Sequence, residues 1–161
     1  MYDTLFLDRD GVINIKLEGR YVTNFSEFVF VKDSDSAIRK LHKIFKRILV
    51  VTNQQGIGKG IMTENDLNIL HQKMQRKLDP EINLIDKIYF CPCLEEKKCN
   101  CRKPKTGMLE NAKIDFPDIN IKKSYLVGDS DSDIIAGKNF GLNTVKVDEI
   151  FTLNNWLKTI L

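Results

Sequence analysis

The sequence predicts an α/β fold built on a doubly wound parallel sheet, and three observations support this prediction. Short apolar runs alternate along the chain with segments of helical period. Several runs, such as residues 48–51, are apolar on both faces, which is typical of parallel strands covered by helices. Polar residues follow directly after Leu7, Val51 and Val127, where parallel strands would end together. The alternation therefore implies an open sheet with helices on both faces.

The individual elements follow from this alternation. Strands are expected at the short apolar runs: residues 2–8, 47–52, 87–91, 124–129 and 144–147. Helices are expected at the segments of helical period: residues 36–45, 63–78, 107–115 and 131–140. Together they predict strands and helices that alternate from the first strand to the last.

Periodicity and end signals support the helices. The apolar residues of helix 36–45 fall on one face: Ile38, Leu41, Ile44 and Phe45. Helix 63–78 opens with a capping box formed by Thr63 and Asp66. Its inward face is apolar: Leu67, Leu70, Met74 and Leu78. Gly141 follows helix 131–140 as its C-cap.

Two segments fall outside the alternation of strands and helices. Residues 11–30 are expected to be irregular or hairpin-like, and residues 92–104 form a polar loop that carries cysteines. A length of 161 residues suits one domain, and we expect residues 1–161 to form it. A composition with 42% apolar and 29% charged residues indicates a folded chain rather than a disordered one.

Net charge and hydropathy indicate which kinds of binding partner the chain is suited to. The net charge of +3 is small and evenly spread, so it does not indicate a nucleic-acid partner, although it suits a small anionic substrate. The first residues lack a basic lead, and no apolar stretch reaches membrane length. We therefore expect a soluble cytoplasmic protein without a membrane partner.

Four polar segments carry residue types suited to phosphoryl transfer: residues 8–12, 52–53, 102–104 and 128–133. A carboxylate can attack phosphorus and carry the phosphoryl group as an acyl phosphate. A second carboxyl group can protonate the leaving oxygen and later deprotonate the attacking water. Mg²⁺ prefers hard oxygen ligands, and a lysine, a hydroxyl and backbone N–H groups can stabilise charge on the transferring oxygens.

In this order the segments resemble the motifs of the haloacid dehalogenase-like phosphohydrolases, over nearly the whole chain from residue 5 to about 147. The resemblance implies a Rossmann-like fold and a phosphoric monoester hydrolase that forms an aspartyl-phosphate intermediate. It implies that Asp8 is the nucleophile and a Mg²⁺ ligand. Asp10 would be the acid/base group and would lend its carbonyl to the metal. Asp129 would complete the metal site, and Asp133 would orient it from the edge.

The same resemblance assigns the groups that bind the transferring phosphoryl. Thr52 and Asn53 would bind it, and Lys103 would neutralise the nucleophile and the phosphate. Lys105 remains a competing candidate for the lysine role. A receiver-type signalling domain also combines Asp, Thr, Lys and Mg²⁺. There the reactive Asp lies on a middle strand and not, as Asp8 does here, two residues before another Asp on the first strand.

The glycine-rich run at residues 56–60 invites a nucleotide-binding interpretation. It lacks the Gly-Lys-Ser/Thr ending of a P-loop, and its spacing is not Gly-x-Gly-x-x-Gly. A flexible loop between strand and helix is expected instead, with Lys59 near the mouth of the substrate site.

The four cysteines form two Cys-x-Cys pairs separated by five residues: Cys91, Cys93, Cys99 and Cys101. Four thiolates this close can bind a tetrahedral, structural Zn²⁺ and leave no position for water. A disulfide, or free thiols in a loop, is the alternative. The loop resembles that of the branch containing histidinol-phosphate phosphatase and heptose-1,7-bisphosphate 7-phosphatase, with Cys93 in place of the usual His. Zinc there would direct Arg102 and Lys103 towards the active site.

Within this branch the chain is too short for a separate cap domain, so we expect loops to select the substrate. The candidate substrate-binding residues are Asn53, Gln54, Gln55, Arg102, Arg20 and Lys59. Residues 19–22 and 52–60 resemble the heptose bisphosphate enzymes. The short cysteine loop, and Ser130 where those enzymes often have Lys, favour histidinol phosphate. We favour a heptose 1,7-bisphosphate, with histidinol phosphate or another sugar phosphate as the alternatives.

Overall fold

The computed structural model describes residues 1–161 and contains a five-stranded, fully parallel sheet. The strands are β1 (Tyr2–Leu7), β2 (Phe45–Asn53), β3 (Lys87–Cys91), β4 (Tyr125–Gly128) and β5 (Asn143–Lys146), in the spatial order β3-β2-β1-β4-β5. The chain leaves β1 towards one edge and returns to β4 on the other side. This reversal places a crevice at the carboxyl ends of β1 and β4, where ligands bind in sheets of this kind.

Six helices connect and cover the strands: α1 (Ser34–Ile44), α2 (Gln55–Gly58), α3 (Glu64–Leu78), α4 (Gly107–Asp115), α5 (Asp131–Phe140) and α6 (Leu153–Ile160). Two short 3₁₀ turns lie at Phe25–Glu27 and Ile121–Lys123. No helix combines the length and the apolar character needed to cross a bilayer.

The sheet separates two apolar cores. Leu5 and Leu7 of β1 face a core of 24 buried residues, whereas Phe6 between them faces a core of 12. Successive side chains of a strand point to opposite faces, so both faces of this central strand are covered. The predicted α/β class with a doubly wound parallel sheet is therefore confirmed.

The predicted bounds agree with the structure where the local signal is strong. Strand β3 and helices α4 and α5 have the predicted bounds, and Gly141 is the C-cap of α5 in the left-handed region, with φ 94°. Thr63 and Asp66 form the predicted capping box of α3. Residues 11–30 are irregular, with isolated bridges at Asn14 and a single 3₁₀ turn.

Two predictions of local structure are wrong, and one helix was missed. Phe45 was expected in the first helix but begins β2, where its ring stacks on Tyr2 at 5.0 Å between centroids. The run at 56–60 was expected as a flexible loop, but Gln55–Gly58 form α2. Helix α6 was not predicted, although Thr152 and Asn155 form a capping box at its start.

Helix α6 is held to the sheet by an aromatic cluster. Trp156 is 5% exposed and lies 5.5 Å from Tyr125 and 6.3 Å from Phe45, measured between ring centroids. Aromatic contacts at these separations stabilise beyond the area they bury. The cluster therefore joins the last helix to the amino-terminal ends of β2 and β4.

We expect Trp156→Ala to lower the free energy of unfolding by about 3–5 kcal/mol, because it leaves a cavity within the cluster. Ile150→Ala is the control, since this side chain is 90% exposed and its loss is expected to cost less than about 0.5 kcal/mol. Urea denaturation followed by circular dichroism measures both. Equal midpoints for the two variants would contradict the packing role of Trp156.

Candidate active site

A cavity of about 590 Å³ opens at the carboxyl ends of the strands. Its wall includes residues that the sequence proposed for catalysis or metal binding: Asp8, Asp10, Lys103 and Asp129. The irregular segment 11–30 and helix α2 form the opposite side, with Tyr21 and Gln55 among the lining residues. The crevice predicted from the strand order is thus lined by the four polar motifs.

Lys103 lies at the centre of the site. The residue is 4% exposed, and its ammonium donates hydrogen bonds to Asp8 Oδ1 at 3.0 Å, to the Val51 carbonyl at 2.8 Å and to Asp133 Oδ1. Burial alone would lower the pKa of Lys103, but the carboxylates of Asp8 and Asp133 outweigh it and raise this pKa. The lysine is therefore a buried, fixed positive charge beside the proposed nucleophile.

Asn53 positions Lys103 through the backbone. Its amide Nδ2 donates to the Lys103 carbonyl at 3.2 Å, and its Oδ1 accepts from the Lys103 N–H at 3.0 Å. The side chain lines the cavity, but both of its polar atoms are occupied by Lys103. The end of β2 is thus joined to the segment that follows the cysteine loop.

The two lysine candidates differ clearly in position. Lys105 is exposed, and its Nζ donates to the Cys99 carbonyl at 3.0 Å. It does not line the cavity, whereas Lys103 does. The geometry therefore favours Lys103 as the residue that contacts the nucleophile.

Three carboxylates converge beside this lysine. Asp8, Asp129 and Asp133 each offer an oxygen within 4.8 Å of the others. Burial raises the pKa of Asp8, although the charge of Lys103 opposes this. Burial also raises the pKa of Asp129. Such a set of hard, mutually repelling oxygens fits a divalent cation, which would favour the ionised form of each.

Gly11 gives this carboxylate cluster the space it needs. Its φ of 90° lies in the region that favours glycine. A Cβ at this position would overlap the carboxylate of Asp129. Gly11 therefore allows the backbone of the turn after β1 to lie against the side chain of Asp129.

The carboxylate of Asp10 is held by three donors. Oδ1 accepts from Arg9 Nη2 and Asn14 Nδ2, both at 2.9 Å, and Oδ2 accepts from Gln54 Nε2 at 2.9 Å. Burial by itself would raise the pKa of Asp10, but the charge of Arg9 and these hydrogen bonds outweigh it and lower this pKa. Asp10 is thus fixed in orientation at the cavity wall.

Arg9 and His71 support Asp10 from behind, and the sequence analysis assigned them no role. Arg9 is fully buried, and its Nη1 donates to His71 Nε2 at 3.2 Å. Burial, followed by the charge of Arg9, lowers the pKa of His71 to about 3, so the imidazole is neutral and can accept this bond. Arg9 lies inside the Asp8–Asp10 motif, but only the folded chain shows that its side chain turns inward.

The residues at and just after the end of β2 differ in their position relative to the cavity. Thr52 is 1% exposed and lies behind the wall, where its Oγ1 accepts from Gln54 Nε2 at 3.0 Å. Gln54 and Gln55 both line the cavity, but Gln54 is buried, and Gln55 donates to the hydroxyl of Tyr21 at 2.8 Å. The amide nitrogens proposed for substrate binding are therefore both engaged within the protein.

Four cationic side chains surround the cavity mouth: Lys16, Arg20, Lys59 and Arg102. Arg20 is paired with Glu27 at 2.6 Å, and Lys59 lies 5.4 Å from the centroid of the Tyr21 ring. Arg102 is half-buried, and its Nη1 is buried without a hydrogen-bond partner. Lys16 was not singled out from the sequence, although it falls within the irregular segment.

The four cysteines lie together at the end of β3, whose last residue is Cys91, and in the loop that follows it. They are joined as two disulfides, Cys91–Cys101 and Cys93–Cys99, which is the alternative that the sequence left open. The Sγ atoms of Cys91, Cys93 and Cys101 lie within 4.8 Å of one another. When reduced, such a group of soft donors fits zinc better than a hard cation.

Comparison with known proteins agrees with this geometry. The family model described as polynucleotide kinase 3 phosphatase matches residues 4–158. The D-glycero-alpha-D-manno-heptose-1,7-bisphosphate 7-phosphatase of Mycobacterium bovis is 40% identical over 135 residues, 84% of this chain and 71% of that protein. The D-glycero-beta-D-manno-heptose-1,7-bisphosphate 7-phosphatase of Helicobacter pylori is 36% identical over 156 residues, 96% of this chain and 86% of that protein.

A solved structure is similar over nearly the whole chain. It is the D,D-heptose 1,7-bisphosphate phosphatase from B. bronchiseptica in complex with magnesium and phosphate, with a TM-score of 0.83 and 31% identity. The match covers 98% of this chain and 85% of that one. The likeness therefore extends across every strand that contributes to the cavity.

We expect Lys103→Met to lower kcat/KM for a phosphomonoester by about a hundred- to a thousandfold, as for loss of a donor that stabilises transition-state charge. Lys105→Met is the matched control and is expected to keep activity near the wild-type value, because its side chain lies outside the cavity. Steady-state kinetics with thermal denaturation of each variant separates catalysis from folding. A larger loss of kcat/KM in Lys105→Met than in Lys103→Met would show that Lys105, and not Lys103, serves the reaction.

Proposed function

This chain belongs to the polynucleotide kinase 3 phosphatase family of haloacid dehalogenase-like phosphohydrolases, and from this premise we propose that it removes the 7-phosphate of a D-glycero-D-manno-heptose 1,7-bisphosphate. It is a phosphoric monoester hydrolase. The observation that carries the choice of substrate is Arg102, whose buried Nη1 lacks a partner one residue before Lys103. A bisphosphate offers one phosphate to Asp8 and a second to this guanidinium.

The proposed reaction has two steps, and both use side chains of the cavity. Asp8 attacks phosphorus and forms an acyl phosphate while the bond from phosphorus to the sugar oxygen breaks. Asp10 takes part in this step in its protonated form and gives its proton to that oxygen, which leaves it as a carboxylate. Asp10 then takes a proton from water, the water oxygen attacks phosphorus, and the carboxylate of Asp8 is released. Lys103 stabilises negative charge on Asp8 and on the phosphoryl oxygens throughout.

The proposal includes a Mg²⁺ ion held by Asp8, Asp129 and the carbonyl of Asp10. When bound, it would supply positive charge at the phosphoryl oxygens and relieve the repulsion between the carboxylates. The convergence of the oxygens of Asp8 and Asp129 supports this assignment. Asp133 shares Lys103 with Asp8 and accepts from Ser130 at 2.8 Å, so it orients the site from its edge.

The proposal also includes one structural Zn²⁺ bound by the four cysteine thiolates. Convergence of three of the four sulfur atoms, those of Cys91, Cys93 and Cys101, supports this, and so do the two Cys-x-Cys pairs. Cys101 directly precedes Arg102 and Lys103, so a metal at the loop would hold the backbone from which both cations extend. Thiolates of this kind persist in the reducing cytoplasm, where we place the protein.

The partner of this site is a small phosphorylated sugar. Its cationic side chains converge on one cavity and do not form an extended stripe of the kind that binds nucleic acid. We take residues 1–161 as one phosphohydrolase domain. The residues that line the cavity come from positions 8 to 133, and the chain forms a single sheet.

We expect Arg102→Ala to weaken kcat/KM for heptose 1,7-bisphosphate about ten- to a hundredfold more than for p-nitrophenyl phosphate, because only the bisphosphate loses a charge-assisted contact. Arg39→Ala, on α1 and away from the cavity, is the control. A panel of phosphorylated metabolites with each variant measures the difference. Equal losses on both substrates would place Arg102 on the transferred phosphate. Faster wild-type turnover of histidinol phosphate would overturn the choice of substrate.

Protein purified under reducing conditions is expected to contain about one Zn²⁺ per chain and to need added Mg²⁺ for turnover. Cys99→Ser should lose zinc, melt at a lower temperature and turn over more slowly, because Arg102 and Lys103 lose their support. Asp129→Asn is the matched control: it should keep zinc but respond weakly to Mg²⁺. Elemental analysis and metal titration measure these outcomes. Reduced, active protein free of zinc would contradict the assignment.

A further inference from the structure

Gln54 is a buried polar residue that links two groups of the active site. It directly follows β2 and is only 2% exposed. Its backbone N–H donates to the Cys91 carbonyl at 2.8 Å. Its Nε2 donates to Asp10 Oδ2 at 2.9 Å and to Thr52 Oγ1 at 3.0 Å. One amide nitrogen therefore joins the acid/base carboxylate to the hydroxyl beside it.

The orientation of this amide follows from its neighbours. An ionised carboxylate can only accept hydrogen bonds, so the group that faces Asp10 Oδ2 must be the NH₂ of the Gln54 amide. The opposite orientation would bring two oxygens together. Both hydrogens of Nε2 are then used, one for Asp10 and one for Thr52, and none remains for a substrate.

The hydrogen bonds accepted by Asp10 also restrict which of its oxygens can carry a proton. Oδ1 accepts from Arg9 and from Asn14, and neither of these groups can accept a hydrogen bond in return. Oδ1 therefore has no lone pair left for a proton. Oδ2 accepts only from Gln54, so its second lone pair is the position from which Asp10 can exchange a proton with a leaving group or a water.

Thr52 is affected in a complementary way. Its Oγ1 accepts from Gln54, and no acceptor in the protein takes its hydroxyl hydrogen. A hydroxyl whose oxygen already accepts from a fixed donor is directed to donate elsewhere. The contact with Gln54 thus directs the hydroxyl hydrogen of Thr52 away from Gln54.

We propose that Gln54 is a positioning residue that fixes Oδ2 of Asp10 as the atom exchanging the catalytic proton. This differs from the substrate-binding role that the sequence suggested for Gln54. The inference rests on the acid/base role proposed for Asp10. It does not depend on the identity of the sugar, since any leaving oxygen at the cavity meets the same carboxylate.

The consequence concerns leaving groups. An alkyl phosphate releases a strongly basic oxygen that needs a proton as the bond breaks, whereas p-nitrophenyl phosphate releases a stable anion that needs little help. Misorienting the acid therefore slows the alkyl ester selectively. A merely structural role for Gln54 would lower both rates together.

The test compares kcat/KM for glycerol phosphate and p-nitrophenyl phosphate in the full chain. In Gln54→Met the ratio of alkyl to aryl turnover is expected to fall about ten- to a hundredfold, since a hydrogen bond to a charged group is lost. Gln54→Glu keeps the length of the side chain, replaces the donating NH₂ with an oxygen and adds a negative charge beside Asp10, so it is expected to lower the ratio as well. It carries the test if Gln54→Met folds poorly.

Two reference variants make the outcome decisive. Gln75→Met removes another buried amide, which binds the backbone of Ile85 far from the cavity, and it should lower stability without changing the ratio. Asp10→Asn should lower the ratio more than any Gln54 variant. If Asp10→Asn slows both esters equally, the acid/base proposal itself fails. If Asp10→Asn lowers the ratio and both Gln54 variants keep it at the wild-type value, the role of Gln54 is overturned.

Discussion

The ammonium of Lys103 is the interaction on which the rest of the site depends. It lies out of water and between the carboxylates of Asp8 and Asp133, where an unpaired charge of either sign would be costly. With Asp129 close by, the group holds three carboxylates and one buried cation, which leaves an excess of negative charge. A divalent cation at these carboxylates would offset that excess and would suit the binding of an anionic phosphate, so the proposed site combines a fixed cation with an exchangeable one.

The fold keeps these charges together because each comes from the same edge of the sheet. Asp8 follows β1 and Asp129 follows β4, and these two strands are neighbours where the strand order reverses. Lys103 belongs to neither strand, and the paired hydrogen bonds of Asn53 bring its backbone to the end of β2. The proposed catalytic group is thus assembled from strand ends, and the side chain of Asn53 holds the long connection that carries Lys103.

Much of this arrangement could be predicted from the sequence, and the limits have physical causes. Apolar runs and capping residues are local signals, so β3, α4 and α5 were predicted with their bounds. Phe45 was assigned to the helix because its spacing from Leu41 and Ile38 fits a helical period. Its contact with Tyr2, which places it in β2, is visible only in the folded chain.

The inward turn of Arg9 and the amide of Gln54 depend on residues far along the chain, such as His71 and Asp10. The sequence therefore predicts which residues line the cavity better than it predicts which of them contact one another. The resemblance to a known family supplied roles for motif residues, and it was silent on the side chains that hold them.

The anchoring of the cysteine loop has a consequence for how such a site can change over time. One end is fixed in β3 at Cys91, and the other is fixed to Asn53 through Lys103. Between them residues 95–98 are exposed. Lengthening an exposed loop is inexpensive, about 0.6 kcal/mol for each doubling of its length. Insertions here can therefore enlarge the loop while the groups that line the cavity keep their places, so the loop tip is a position where evolution or enzyme engineering can add residues.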